Sequence, residues 1–218
     1  MPGSAVTLRS RFLRWTLAVI GVSVLIYLVP LFHIVPLEAA RRQFAAADFD
    51  AAEFVDTFWQ GPLLDSTRHA VDAAELLDAL KRDFDGTTNR FGHRLGLSGN
   101  TSFLVSGQGR IVAVDSTAIA IALHDDGQAE LTIETGPMFG NAIRDGSGLL
   151  DVSDFANAQD FNALSAEINR RVEEQVLPLL EAGAAIGKTV RFAGGVEIAD
   201  SAGAPSALVL VPVVIEFP

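Results

Sequence analysis

Residues 101–135 read TSFLVSGQGRIVAVDSTAIAIALHDDGQAELTIET, and the spacing of apolar residues in this stretch decides the fold class. Apolar and polar residues alternate there, which is typical of strands that bury one face. The pattern predicts a β meander over 101–135, with strands at Phe103–Ser106, Arg110–Asp115, Thr117–Leu123 and Glu130–Thr135. Gly107-Gln108-Gly109 and Asp125-Asp126-Gly127 are interpreted as hairpin turns between them. In the last strand, Glu130 is expected to point away from the core.

Helices are predicted before the meander. Residues 39–83 have helical periodicity, and Asp50 and Asp72 each precede a glutamate by three residues, which indicates helix starts. Gly61-Pro62 is expected to break this region, and Asp85-Gly86 to end it.

The chain after the meander is predicted to continue as loop, helix and hairpin. The loop covers 136–148 and the helix covers 157–182, where Pro178 is expected to kink or end it. A β hairpin is predicted over 188–217, and Pro212 within it indicates an edge strand or a bulge. The whole pattern predicts an α+β domain, a small antiparallel β-barrel of the oligomer-binding type with added helices.

A membrane anchor is predicted ahead of this domain. Residues 15–37 contain no charged side chain and are long enough to cross a bilayer as one helix. Residues 1–14 carry Arg9, Arg11 and Arg14, so this basic tail is expected in the cytoplasm and residues 38–218 outside the inner membrane. The run is longer than the apolar core of a signal peptide, and Glu38-Ala39-Ala40 is a poor cleavage site, which favours an uncleaved single-pass span over a cleaved signal.

Composition limits the function classes. The formal net charge is −11, and without the three N-terminal arginines it is −14, which disfavours nucleic acid as a partner. The sequence contains no cysteine, so it has neither disulfides nor a lipid-modified cysteine. The four histidines are scattered without a metal-binding spacing, and no pattern predicts a cofactor.

The loop over 136–148 carries the most distinctive polar residues. Asn141, Arg144 and Asp145 lie together between glycines, and two interpretations remain open. In the first interpretation, Arg144 holds the loop in place by bonding to Asp145 or to backbone carbonyls. In the second, the three residues recognise a small polar ligand.

Three segments resemble a known family, the predicted periplasmic lipoproteins grouped as domain of unknown function 2291. They are Phe91-Gly92-His93-Arg94, the Gly136–Gly146 loop, and Asp154-Phe155-Ala156-Asn157 continuing to Asn169-Arg170-Arg171. The resemblance implies an extracytoplasmic oligomer-binding-like domain and adds His93, Arg94, Asn157 and Asn169 to the candidate ligand-binding residues. Members commonly carry a lipid-attachment cysteine, which this chain lacks, and an Asn-Gln pair where this chain has Asn157-Ala158.

The resemblance also implies an accessory role in uptake, because relatives are often encoded beside sugar-type ABC importers. The predicted function is therefore a non-catalytic, membrane-anchored periplasmic domain that contacts importer components or holds a small polar solute. The alternatives are an envelope structural or assembly protein, or a carboxylate-based hydrolase that uses a pair such as Asp115 and Glu134.

Overall fold

The computed structural model describes residues 49–95 and 99–218, which form a mixed α and β fold. The helices before the sheet are α1 Ala51–Phe58, α2 Leu64–Thr67, α3 Ala73–Arg82 and α4 Phe84–Phe91, with a π turn Trp59–Leu63 between the first two. The strands are β1 Val71–Asp72, β2 Asn100–Val114, β3 Ala118–Ala122, β4 Leu131–Glu134, β5 Thr189–Ala199 and β6 Leu208–Glu216. Between β4 and β5 lie α5 Ala142–Gly146, α6 Ala158–Arg171, a π turn Val172–Val176 and α7 Leu177–Gly183. Short 3₁₀ turns follow α5 and β5, at Val152–Asp154 and Asp200–Ala202.

Strand pairing closes the sheet into a ring. The first part of β2 pairs with β5, from Asn100↔Ala199 to Arg110↔Thr189, and its end pairs with β3. β3 then pairs with β4, β4 with β6, and β6 with β5, which returns to β2. The prediction of a purely antiparallel sheet is wrong, because β4 and β6 are parallel and the short β1 adds to β2 in parallel. The helices between β4 and β6 carry the chain back over the sheet, and this makes a parallel pairing possible.

A hairpin at Gly107-Gln108-Gly109 was predicted, and this prediction is wrong. β2 runs unbroken through these residues. The glycines serve close packing instead: a Cβ on Gly109 would lie 2.4 Å from the Ile121 side chain, and one on Gly107 would lie 3.1 Å from the Phe192 ring. Glycine in a strand can mark a close approach of other atoms as well as a turn, and the meander sequence alone does not distinguish the two.

The core fills the inside of the ring and the space under α6. Alternate residues of β2, β3, β4 and β5 are fully buried, as expected for strands with one inner face. Helix α6 presents Phe161, Leu164 and Ile168 to this core, and the π turn adds Val172 and Val176. These residues recur at intervals of three and four, so they form one apolar face of the helix.

Proline and glycine end fewer helices than predicted. Gly61-Pro62 does not break the helical region, because the wider π turn Trp59–Leu63 continues the chain into α2 past the missing proline N–H. The helix predicted over 157–182 does not end at Pro178. This proline lies in the first turn of α7, where its missing backbone N–H would have no hydrogen-bond partner within the helix. Asp85-Gly86 does not end the helical region. The Asp83 carboxylate accepts a hydrogen bond from the Gly86 N–H at 3.0 Å and caps the start of α4, which contains both residues.

Of two strand predictions, the one at Pro212 is confirmed in one of its two alternatives and the one at Glu130 is wrong. Pro212 does mark a bulge, where the register against β5 shifts at Ala193/Gly194, but β6 is paired on both sides and is not an edge strand. Glu130 does not point into solvent. It is 7% exposed, lies 2.8 Å from the His124 Nδ1 and pairs with Lys81 on α3, which links the helices to the β3–β4 connection.

The predicted basic tail 1–14, the membrane span 15–37 and residues 39–48 of the predicted helical region lie outside the described residues. Among the residues that are described, no helix has the length and apolar content that a membrane crossing requires.

Candidate functional site

The predicted loop 136–148 contains helix α5, which is wedged against the outside of the ring. A Cβ on Gly195 of β5 would lie 2.4 Å from the Ala142 carbonyl carbon, and one on Gly146 would lie 2.7 Å from the Phe103 carbonyl oxygen. Both glycines therefore let the α5 backbone lie directly on the strands β2 and β5. The most distinctive loop of the sequence is thus part of the packed fold.

Arg144 is buried in this packing and lines neither of the two cavities described below. Its guanidinium lies 3.9 Å above the centre of the Phe161 ring, and its Nε donates to Asp145 at 2.6 Å. Its Nη1 also donates to the Phe161 carbonyl and to the Asn162 side chain, each at 3.3 Å. The geometry matches the interpretation in which Arg144 pins the loop.

Two of the three predicted asparagines, Asn157 and Asn169, have structural roles. Asn157 caps α6, since its Oδ1 accepts the Asp160 N–H at 2.8 Å. Asn169 donates from α6 to the Gly140 carbonyl at 3.0 Å. Asn141 precedes α5, is half-buried and makes no side-chain cap there. None of the three lines the cavities described next.

A cavity of about 580 Å³, termed the large chamber, opens between the N-terminal helices and the outer side of β2. Its polar lining consists of Ser66, His69, Asp72, Glu75, Arg90, His93 and Ser147, and its apolar lining includes Phe91 and Leu104. This volume falls within the range of about 300–1,000 Å³ that is typical of small-molecule sites.

A second cavity of about 240 Å³, the small chamber, adjoins it and is lined by Arg94, Asp145, Asp151, Asp154 and apolar residues. Ser153 holds Asp151 through its N–H at 2.8 Å and its hydroxyl at 2.7 Å. These two hydrogen bonds stabilise the charged carboxylate and keep the pKa of Asp151 below its ordinary value.

Among the predicted site residues, the structure brings together His93, Arg94 and Asp145. His93 lines both chambers, while Arg94 and Asp145 line the small one. Arg94 is partly committed to the fold, because its Nε lies 2.8 Å from the Thr101 hydroxyl and 3.2 Å from Asp200. The side chain with the most freedom in this group is therefore His93.

Sequence reasoning missed the lining residues that come from the helical region. Arg90 directly precedes the Phe91–Arg94 segment, and its position beside these candidate residues could have indicated that it lies at the same site. For His69 and Glu75 the sequence held no such signal, since they come from the segment around β1 and from α3, and only the β1–β2 pairing brings them to this side of the sheet.

The carboxylate pair considered for hydrolysis lies elsewhere. Asp115 and Glu134 are both exposed, on either side of β3, and line neither chamber. Two strand spacings separate them, about 10 Å, on an open surface.

The closed five-strand ring, with α6 between β4 and β5, defines the chain as an OB-fold domain that carries a polar two-chambered cleft. A crystal structure of an OB-fold protein from Thermotoga maritima has a TM-score of 0.69 and 24% sequence identity, and the match covers 78% of this chain and 99% of that one. At this identity the likeness establishes the fold alone.

The particular family follows from the sequence. The family described as predicted periplasmic lipoprotein (DUF2291) matches residues 22–216, so this chain belongs to it, and the resemblance is confirmed. Membership supports a periplasmic domain, of a family whose function is unknown. Among curated proteins, none matches the chain significantly.

Proposed function

We propose that this chain is a non-catalytic periplasmic domain, anchored in the inner membrane by residues 15–37, which holds a small polar solute for a sugar-type ABC importer. Membership of a periplasmic lipoprotein family supports the compartment. The apolar run 15–37 supports the anchor. The link to import rests on the setting in which relatives are encoded.

The large chamber is the observation that carries the ligand-holding role. Within the described part of the chain, the side chains of Glu75 and Arg90 and the His93 ring make no hydrogen bond or ion pair, although all three line this one cavity. Arg90 lies 4.8 Å from the centre of the Phe91 ring, which orients its guanidinium. Acceptors and donors that the fold leaves free, next to an aromatic face, suit a small molecule rich in hydroxyl groups.

The test is to identify what the full-length protein carries. The chain is purified from membranes in mild nonionic detergent and denatured, and the released small molecules are identified by mass spectrometry. We expect a polar solute to accompany the wild type and to fall at least tenfold with Arg90→Ala. Arg110→Ala is the matched control, since Arg110 is an exposed arginine on β2 outside both chambers. Recovery of no solute, with no stabilisation by any compound of a polar metabolite panel, would refute the ligand-holding role.

The importer link has its own test. Mild cross-linking in native membranes, followed by purification of the full-length chain and protein mass spectrometry, should recover a permease or a solute-binding protein. Recovery of cell-wall or assembly proteins alone would contradict it.

A second candidate, an envelope assembly protein, is favoured by one observation in the loop before α5. Phe139 is 82% exposed, yet its neighbours are fixed: Glu173 accepts the Met138 N–H at 2.6 Å, and Asn169 holds the Gly140 carbonyl. A rigidly presented aromatic ring suits a protein contact. A photo-cross-linking amino acid at position 139 distinguishes the candidates, because assembly predicts an envelope protein there and solute holding predicts none.

A further inference from the structure

The segment between α5 and α6 exposes two aliphatic side chains beside the small chamber. Leu149 is 45% exposed and Val152 is 46% exposed, three positions apart in the chain. Leu149 also lines the small chamber, together with Leu95 and Leu150. Single exposed aliphatic residues are common on protein surfaces, but two on one cavity-lining segment are not scattered. Residues 149–154 are termed the rim below.

The backbone of the rim is held in place by the fold. Leu150 and Phe155 pack against the hydrophobic core. Between them, the Asp154 N–H donates to the Asp151 carbonyl at 3.1 Å, and the Ser153 N–H donates to the Asp151 side chain at 2.8 Å. Because this backbone is already ordered, a partner that covers the rim loses little affinity to ordering it.

The small chamber also carries uncompensated negative charge. Two ion pairs there are complete within the fold, namely Arg94–Asp200 and Arg144–Asp145. Asp151 and Asp154 line the same chamber and form no ion pair within the described part of the chain. The hydrogen bonds from Ser153 keep the pKa of Asp151 below its ordinary value, so this carboxylate is charged at neutral pH. Such a surface attracts a cationic group and repels phosphates and anionic lipid headgroups.

The aliphatic and acidic residues together select one kind of partner. A basic side chain that enters the small chamber brings its cation to the carboxylates and lays its aliphatic stem on the leucines. The volume of about 240 Å³ lies below the usual range for a small-molecule site and suits a single long side chain. Apolar neighbours of that side chain then cover Leu149 and Val152.

We propose that the rim and the small chamber form a docking surface for a protein segment in which an arginine or lysine is flanked by apolar residues. This proposal rests on the importer contact of the proposed function, and it assigns the surface that makes this contact.

Binding of synthetic peptides to the full-length chain in nonionic detergent tests the chemistry of the surface. The probes are hexapeptides with a central arginine, lysine, glutamine or glutamate, flanked either by leucine and valine or by serine. We expect the basic peptides with apolar flanks to bind at least tenfold more tightly than the glutamate-centred or serine-flanked ones. Asp154→Lys should weaken this binding at least tenfold, because it reverses one of the two unpaired charges.

Asp115→Lys is the matched control, since Asp115 is an exposed carboxylate outside both chambers, and it should change the affinity less than twofold. No preference for the basic peptides, no binding of any peptide, or equal binding by the two variants would overturn the proposal.

Cross-linking in native membranes separates this proposal from the proposed function. The amount of importer component recovered with the wild type should fall at least tenfold with Val152→Asp. It should stay within twofold with Leu179→Asp, because Leu179 is a 60% exposed aliphatic residue on α7, outside both chambers. Both variants should melt like the wild type, since both side chains are exposed. Equal recovery with the two variants would overturn the docking surface while the importer link stands. Peptide binding as expected, with no importer component recovered by the wild type, would refute the importer link and support the surface.

Discussion

Replacing Arg144 by alanine should destabilise the domain strongly without removing any chamber lining. The Arg144 side chain is 5% exposed and its partner Asp145 13%, so the substitution leaves a carboxylate in a poorly solvated place. Breaking a buried pair from one side costs about 3–5 kcal/mol, and the lost stacking on Phe161 lies within that figure. We expect about 4 kcal/mol less free energy of unfolding, which is roughly 8–16 °C in Tm for a domain of this size.

Urea unfolding and thermal melts of the full-length chain in detergent, followed by circular dichroism, measure this loss. Arg110→Ala is the control and should stay within about 0.5 kcal/mol of the wild type, since Arg110 is exposed. The double variant Arg144→Ala/Asp145→Ala should lose less than the sum of the single variants, because the orphaned carboxylate is gone. A loss below about 1 kcal/mol for Arg144→Ala would refute the view that this residue pins the loop.

Three further predictions test other parts of the fold. Gly195→Ala should cost about 1–3 kcal/mol by pushing α5 off β5, whereas Gly136→Ala, whose Cβ meets no atom within 4 Å, should be near neutral in the same melts. The His124 imidazole donates a hydrogen bond to the Glu130 carboxylate, and this bond, with the charges of Glu130, Asp78 and Asp126, raises the pKa of His124 above 6.5. An NMR titration should therefore show a lower pKa of His124 in Glu130→Gln. Because the pKa of His124 is raised in the folded state, protonated His124 stabilises the wild type below about pH 6.5, and this stabilisation should disappear as pH rises through the folded pKa. An identical pH dependence of the free energy of unfolding in Glu130→Gln would contradict this. Asn157→Ala should cost about 1 kcal/mol through the lost helix cap, with Asn157→Asp near wild type and solute binding unchanged; weaker binding would return Asn157 to the ligand site.

Elements with a clear period were predictable from the sequence. The alternation in β4 and β5 and the three-and-four spacing in α6 each follow from one buried face, and a single face is a local property of the chain. Glycines and prolines were predicted poorly. Gly107, Gly109 and Pro62 are typical of breaks, yet each lies inside an element, and Pro178 lies in the first turn of α7. The effect of a small or rigid residue depends on the residues that pack beside it.

The candidate site was predictable only in part. The family resemblance indicated the segment around His93, and its polar residues indicated the loop with Asp145; the two meet at the small chamber. Arg144 and Asn157 have the same polar character, but the fold uses them for packing and capping. Residue type indicates that a side chain can bind; its partners decide whether it remains free to do so.

The sequence by itself determined the kinds of element, the apolar run at 15–37, the acidic charge of the domain and the family, because each depends on neighbours within one stretch of chain. Only the tertiary structure decided that β2 closes the ring against β5, that α5 packs on both strands, and that His93 lines both chambers. These features join residues up to about a hundred positions apart, for example Asn100 and Ala199. Such pairings are selected by the shared burial of the whole core, which no local pattern encodes.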